Sequence, residues 1–335
     1  MTPVVDPRPI SEVQPLPPTS GRAEPLPRRW TLHGLNNGAI FSATYRGVTT
    51  LPGSVSYAIG HVGTWIAWRA MRRSRQALVE NLAAVFPDES TSALERRALT
   101  TLRSYANDVI DFLRGLSASP EEAVAMFDVS NPGYRQLFKS LQDRGRGIIL
   151  VTAHYGNWEA GSILVRRLLD MPLTIVAMTE ADPTVNRIRR DIRERLGVET
   201  IEVRRSLDTA LQIRRRLSEN HIVAMLIDRH YGRDRVPVTL FGRQAWFLRT
   251  PLLMAYLSGA PVVPCFIERI GPGKFSAIPG DPIILDAALP RDQAIGHAAQ
   301  QIADGVSARV RAHPEFWYQF YRYWDAQKDS YEGLA

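Results

Sequence analysis

His154 and Glu159 stand five residues apart in Thr152-Ala153-His154-Tyr155-Gly156-Asn157-Trp158-Glu159. An imidazole of this kind can take a proton from a hydroxyl, and a carboxylate beside it can orient the ring and stabilise its cation. On one helix the two side chains would lie roughly 140° apart and could not share a face. A bend between them is therefore required. Ile148-Ile149-Leu150-Val151 reads as a buried strand that delivers His154 to a turn; Gly156 supplies the bend, and Asn157-Trp158-Glu159 opens a helical pattern. The plainer alternative is a hydrogen-bonded loop histidine with an unrelated glutamate nearby. A metal site is disfavoured, because no third ligand follows at a recognisable spacing and the single cysteine, Cys265, is remote.

The elements that must position this pair alternate along the chain. Strand-like runs cover Ile148 to Val151, Leu173 to Met178, Thr200 to Val203, Ile222 to Ile227 and Val262 to Ile267. Helical patterns fill the gaps at Trp158 to Leu169, Pro183 to Leu196, Leu207 to Glu219 and Thr250 to Leu257. Upstream, Ser92-Ala93-Leu94-Glu95 has the form of a capping box, and Leu94, Ala98, Leu102, Tyr105, Val109 and Leu113 recur at helical spacing up to Gly115. Such alternation predicts an α/β fold with a mostly parallel central sheet flanked by helices. Ligands in such sheets bind beyond the carboxyl ends of the strands. His154 falls at one such end, and Asp228, after Ala224-Met225-Leu226-Ile227, at another.

Among the 335 residues the formal charge is +7, which points to an anionic partner such as a membrane surface, an acidic protein or a phosphorylated substrate. Nucleic acid is the weakest of these, since no zinc-finger, RRM-type or phosphate-loop pattern is present. Residues 1–29 carry eight of the 23 prolines and read as a disordered tail. Val48 to Trp68 contains no Asp, Glu, Lys or Arg, and Arg69, Arg72, Arg73 and Arg75 follow. Pro52, Gly53, Gly60, Gly63 and His61 dilute its hydrophobicity, so an interfacial contact fits better than a span, with Trp65 and Trp68 near the headgroups. A hairpin packed on the protein's own body is the alternative. Residues 30–80 are thus expected as a membrane-proximal helical segment and 81–335 as the catalytic domain.

Further arginines crowd the sheet rim. The Pro183 to Leu196 helix carries Arg187, Arg189, Arg190, Arg193 and Arg195, mostly a solvated face, with one or two able to reach over the rim toward a phosphate. The stretch from Asp228 to Arg243 reads as a charged, glycine-bearing loop that serves either as an anion clamp or as ordinary surface. The run Phe316-Trp317-Tyr318-Gln319-Phe320-Tyr321-Arg322-Tyr323-Trp324 is too aromatic for a free tail, and core closure suits most of it better than a groove or membrane edge.

In order from about residue 70, these features resemble the late lipid A acyltransferases and the related mycobacterial phosphatidylinositol mannoside acyltransferases. Asn81-Leu82-Ala83-Ala84-Val85-Phe86-Pro87 resembles an Asn-Leu…Phe-Pro signature, and His154-Tyr155-Gly156-Asn157-Trp158-Glu159 a His-x4-Asp/Glu motif. Asp182-Pro183 with Ile192-Arg193-Glu194-Arg195-Leu196-Gly197 resembles a helix bearing a functional arginine. Asp228-Arg229-His230-Tyr231-Gly232, Leu240-Phe241-Gly242 and Ser258-Gly259-Ala260-Pro261-Val262-Val263-Pro264 complete the series.

The resemblance implies a glycerolipid acyltransferase-like fold and transfer of a fatty acyl group from acyl carrier protein or coenzyme A to a hydroxyl of a membrane lipid, lipid A-type first. His154 would be the general base and Glu159 its orienting partner, with Gly156, Asn157, Arg193, Asp228 and Arg229 binding substrate. Backbone amides near Gly156 or a nearby arginine would meet the oxyanion. No metal or organic cofactor is called for, because the thioester is already activated. The implied location is the cytoplasmic face of a bacterial inner membrane, peripheral or monotopic. Two rivals stay open: a lipid esterase or thioesterase activating water with the same pair, though without a Gly-x-Ser-x-Gly elbow, and a non-catalytic protein that binds anionic lipid.

Overall fold

The computed structural model describes residues 38–328 apart from 116–117, 129–132, 180–181 and 204–206; the proline-rich residues 1–29 lie outside the described residues. Helices α1 (Gly38–Thr50), α2 (Gly53–Ala70), α3 (Arg72–Val85), α4 (Thr91–Gly115), α5 (Pro120–Ala125) and α6 (Gly133–Gln142) precede strand β1 (Ile148–Thr152). Next come α7 (Ala160–Ile163), continued by a π-helical stretch (Leu164–Leu169), β2 (Leu173–Ala177), α8 (Pro183–Arg195), β3 (Glu199–Glu202), α9 (Leu207–Ser218) and β4 (Ile222–Leu226). The hairpin β5 (Arg235–Leu240) and β6 (Arg243–Leu248) leads to α10 (Thr250–Ser258), β7 (Val262–Gly271), β8 (Lys274–Pro279), α11 (Arg291–Ala312) and α12 (Tyr323–Lys328).

Six strands form one sheet in the order β3-β2-β4-β1-β7-β8, parallel throughout except for the antiparallel edge strand β8. The apolar strands are continuous because both sheet faces are covered. Ile149 and Val151 of β1 join Val223 and Met225 of β4 in the largest core cluster, while Ile148, Ile222, Leu173 and Val263 pack in another with Phe138 and Leu141 of α6. The expected mostly parallel sheet between helical layers is thus observed.

Three local expectations change. The charged stretch after Asp228 is not simply a loop: β5 and β6 pair in register from Arg235↔Leu248 to Leu240↔Arg243, with Val236, Val238 and Leu240 turned inward between exposed Pro237 and Thr239. The cap of α4 is Ser90, whose Oγ accepts from Ala93 N at 3.3 Å. Helical backbone already begins at Thr91, so Ser92 lies inside the first turn and cannot cap it. Finally, the helix expected from Trp158 begins only at Ala160 and widens into the π-helical stretch, which stops at Asp170 in the left-handed region (φ 53°).

The uncharged stretch 48–68 is broken at Leu51–Pro52 between α1 and α2. Among the described residues no helix is long and apolar enough to cross a membrane. One side of α2 packs on α4, where the Tyr57 hydroxyl donates to Asp111 and Arg269 Nε reaches the same carboxylate at 2.7 Å. The opposite side carries Val55, Ile59, Val62 and Ile66 at spacings of four, three and four, all exposed. The packed hairpin and the free apolar face therefore coexist on one helix.

Candidate active site

Strand β1 ends beside the turn that the sequence requires. Gly156 takes φ +59°, and a Cβ there would meet Ile267 O at 2.0 Å, so only glycine allows the chain to approach β7 this closely. Gly156 N donates to Phe316 O (2.8 Å) and Asn157 N to Ile267 O (2.9 Å). The Asn157 side chain is buried, donating through Nδ2 to Asp108 O (2.9 Å) and accepting from Ala160 N (3.2 Å). Gly156 and Asn157, expected to bind substrate, are thereby committed to the scaffold. Their amides are already bonded, which removes them as oxyanion donors.

His154 sits at the rim with its Nδ1 2.7 Å from Asp228 Oδ1, while its backbone N donates to Asp228 Oδ2 at 3.0 Å. A carboxylate only accepts, so Nδ1 carries the proton and Nε2 keeps a lone pair. Burial, followed by the Arg229 charge, lowers the imidazole below its ordinary range against the opposite pull of Asp228. Burial alone would raise the Asp228 carboxyl, but His154 and Arg229 together outweigh it and hold it below the usual carboxylate value. Around neutral pH the result is a neutral imidazole backed by an ionised carboxylate.

Glu159 does not fill the place expected for it. The bend brings it to the same cavity wall as His154, but its Oε1 lies 3.0 Å from Arg189 Nη1 and 3.5 Å from Arg193 Nη2. The orienting partner of His154 is Asp228. Of the five arginines on α8, Arg189 and Arg193, one helical turn apart, line the cavity. Arg229 also lines it, with Nη2 donating to Gln319 Oε1 (3.0 Å) and its guanidinium 4.8 Å from the Tyr321 ring centre. Asp228, at 1% exposure, stands behind His154 and outside the lining.

The cavity measures about 310 Å³ and runs from His154 and Trp158 along one sheet face to Leu173, Leu169 and Phe138. Leu150 and Thr152 of β1, and Ala224 and Leu226 of β4, point to this face and are only partly buried although their strands are interior ones. The open space above them accounts for that exposure. The π-helical stretch forms part of the opposite wall through Leu164, Val165 and Leu169. Since strands rise about 3.3 Å per residue, five residues give a slot roughly 16 Å long. Its walls are largely apolar, and Arg189, Arg193 and Arg229 bring positive charge to its rim. Among the described residues no group of three or more His, Cys, Asp or Glu is placed to hold a metal ion.

Fold and site together define an α/β protein with an imidazole–carboxylate pair at the mouth of a largely apolar cavity. Residues 30–326 match the family described as bacterial lipid A biosynthesis acyltransferase, and the chain belongs to that family. It is an acyltransferase. It is similar to the phosphatidylinositol mannoside acyltransferase of Mycolicibacterium smegmatis, being 26% identical over 290 residues that cover 85% of this chain and 90% of that protein. The Mycobacterium tuberculosis enzyme of the same name is 26% identical over 289 residues, covering 85% of this chain and 87% of its own.

Proposed function

We propose that the protein moves a fatty acyl group from a carrier thioester, acyl carrier protein or coenzyme A, to a hydroxyl of a membrane glycolipid, with a lipid A-type acceptor as the first candidate and an inositol mannoside as the second. The observation that carries this reading is His154: its Nδ1 is held by buried Asp228, leaving Nε2 at the polar end of an apolar slot. His154 Nε2 takes the acceptor's hydroxyl proton as the oxygen attacks the thioester carbonyl. Collapse of the tetrahedral intermediate breaks the carbon–sulfur bond, and the proton on Nε2 passes to the leaving thiolate. Arg189 and Arg193 bring positive charge to the cavity wall for the developing oxyanion or for a substrate phosphate. The acyl chain lies along β1, β2 and β4. The thioester supplies the activation, so the reaction draws on no metal or organic cofactor. Mass spectrometry of total lipids from cells with and without the gene tests the reading. A glycolipid one acyl chain heavier in the presence of the gene is expected; identical lipid profiles would remove the proposed activity.

Attachment to the cytoplasmic face of the inner membrane is part of the same reading, because soluble thioesters and an amphipathic acceptor meet there. The exposed stripe of α2 supplies apolar insertion, Trp65 stacks under Arg69 with the guanidinium 3.6 Å from the ring centre, and Arg72, Arg73 and Arg75 face anionic headgroups. Each basic residue adds about 1 kcal/mol near such a surface. Replacing Ile59 and Val62 together by Asp should lower binding to anionic vesicles by at least about tenfold, given about 1.5–3 kcal/mol for each buried aliphatic side chain. Co-sedimentation reads the effect. Binding equal to that of the unaltered protein would move the contact elsewhere.

A further inference from the structure

The aromatic run that closes the core is bonded onto the base-bearing loop much as an added strand would be. Gly156 N donates to Phe316 O, and Tyr318 N donates to His154 O at 2.9 Å. Gln319, the next residue, is completely buried. Its Nε2 donates to Asp228 Oδ2 at 2.7 Å, and its Oε1 accepts from Arg229 Nη2 at 3.0 Å. A carboxylate only accepts and a guanidinium only donates, so these partners fix which way the amide points. Gln319 is itself held from α3: Asn81 Nδ2 donates to Gln319 O (3.0 Å) and Tyr321 O (2.7 Å), and Asn81 Oδ1 accepts from Tyr323 N (2.9 Å). The chemistry of acyl transfer gives Asn81 no part, yet its side chain is spent entirely on this segment.

We infer that Gln319 is a positioning residue that sets the distances of both Asp228 and Arg229 from His154, and that Asn81 anchors it there. The inference rests on His154 being the base of the proposed reaction. Burying an amide is costly unless both its ends are bonded, and here both ends are spent on the two charges that flank one imidazole. The charged groups acting on His154 are Asp228 and Arg229 beyond β4 and Arg189 from α8; Glu159 shares the cavity wall, paired with Arg189 and Arg193. Without the Gln319 amide, Asp228 loses a donor at Oδ2 and presents more of its charge to His154. Arg229 loses one of its anchors and keeps Tyr318 O at 3.3 Å and the Tyr321 ring, so it is held less tightly beside the pair. Both changes favour the imidazolium, so His154 must titrate at higher pH.

The test is an NMR titration of the histidine ring signals, with His154 assigned by its absence from His154→Ala protein; it needs no turnover. Gln319→Met, of similar length but without hydrogen bonds, should move the His154 midpoint upward by about one pH unit. Asn81→Ala, which loosens the segment without touching the charged pair, should move it in the same direction if the methionine variant does not fold. In turnover the acid limb of kcat/KM should shift by the same amount while KM for the acyl donor stays constant. Folded variants whose His154 titrates as in the unaltered protein would overturn the positioning role and leave Gln319 as packing alone. A shifted midpoint in a protein that transfers no acyl group, even unaltered, would uphold the positioning role and strike instead at the proposed reaction.

Discussion

Replacing His154 by alanine should lower acyl transfer by about two to four orders of magnitude, the usual worth of a placed general base. Among the described residues the ring's one hydrogen bond is from Nδ1 to Asp228, beside an edge contact with Trp158, and the backbone bonds to Asp228 and Tyr318 survive the change, so the protein should stay folded. Steady-state rates on a folded variant, checked by circular dichroism, decide the matter. Turnover near that of the unaltered enzyme would remove His154 from the chemistry.

The second large effect distinguishes the two carboxylates. Asp228 accepts three N–H bonds, from His154 N, His154 Nδ1 and Gln319 Nε2. An asparagine there has one oxygen and must turn an NH2 toward one of those donors. The ring can relieve the conflict by moving its proton to Nε2, which leaves no lone pair for the substrate. Asp228→Asn should therefore cost about three to four orders of magnitude in kcat, as loss of the correct tautomer does elsewhere. Glu159→Gln leaves the His154–Asp228 bond intact and releases Arg189 and Arg193. It should raise KM and reduce kcat only about tenfold. Should the two variants show the reverse order, with Glu159→Gln the crippled one, Glu159 would serve the base after all.

What could be read from the chain follows what is local. The strands were legible because interior parallel strands are unbroken apolar runs, and Ile148–Thr152 and Ile222–Leu226 differ from expectation by a single residue at one end. The alternation of Val236, Val238 and Leu240 is a strand signal, but Pro237 and the arginines that open both strands, Arg235 and Arg243, make the stretch read as a charged loop. Edge strand β8 carries a lysine and a proline at its termini and signals equally weakly. At the site, sequence put His154 and Asp228 on one rim, which is where they meet. It paired His154 with the nearer carboxylate because spacing carries no information about α8, whose Arg189 takes Glu159 from 30 positions away. Gln319, 91 positions from Asp228 and set among aromatic residues, offers no local signal at all. Gly156 is legible as a bend, but the partners of the adjacent amides are not: Ile267 O takes the Asn157 N–H and Phe316 O takes the Gly156 N–H.

Transfer to a hydroxyl and hydrolysis differ in where the acyl group ends, and one measurement separates them. Purified protein in lipid vesicles is given a labelled acyl carrier thioester with and without a glycolipid acceptor, and both acyl-lipid and free fatty acid are followed. Label should enter the acceptor in a His154-dependent way, with little free fatty acid when the acceptor is left out. Release of free fatty acid at the same rate in both mixtures, with no labelled lipid, would contradict transfer and make the protein a thioesterase.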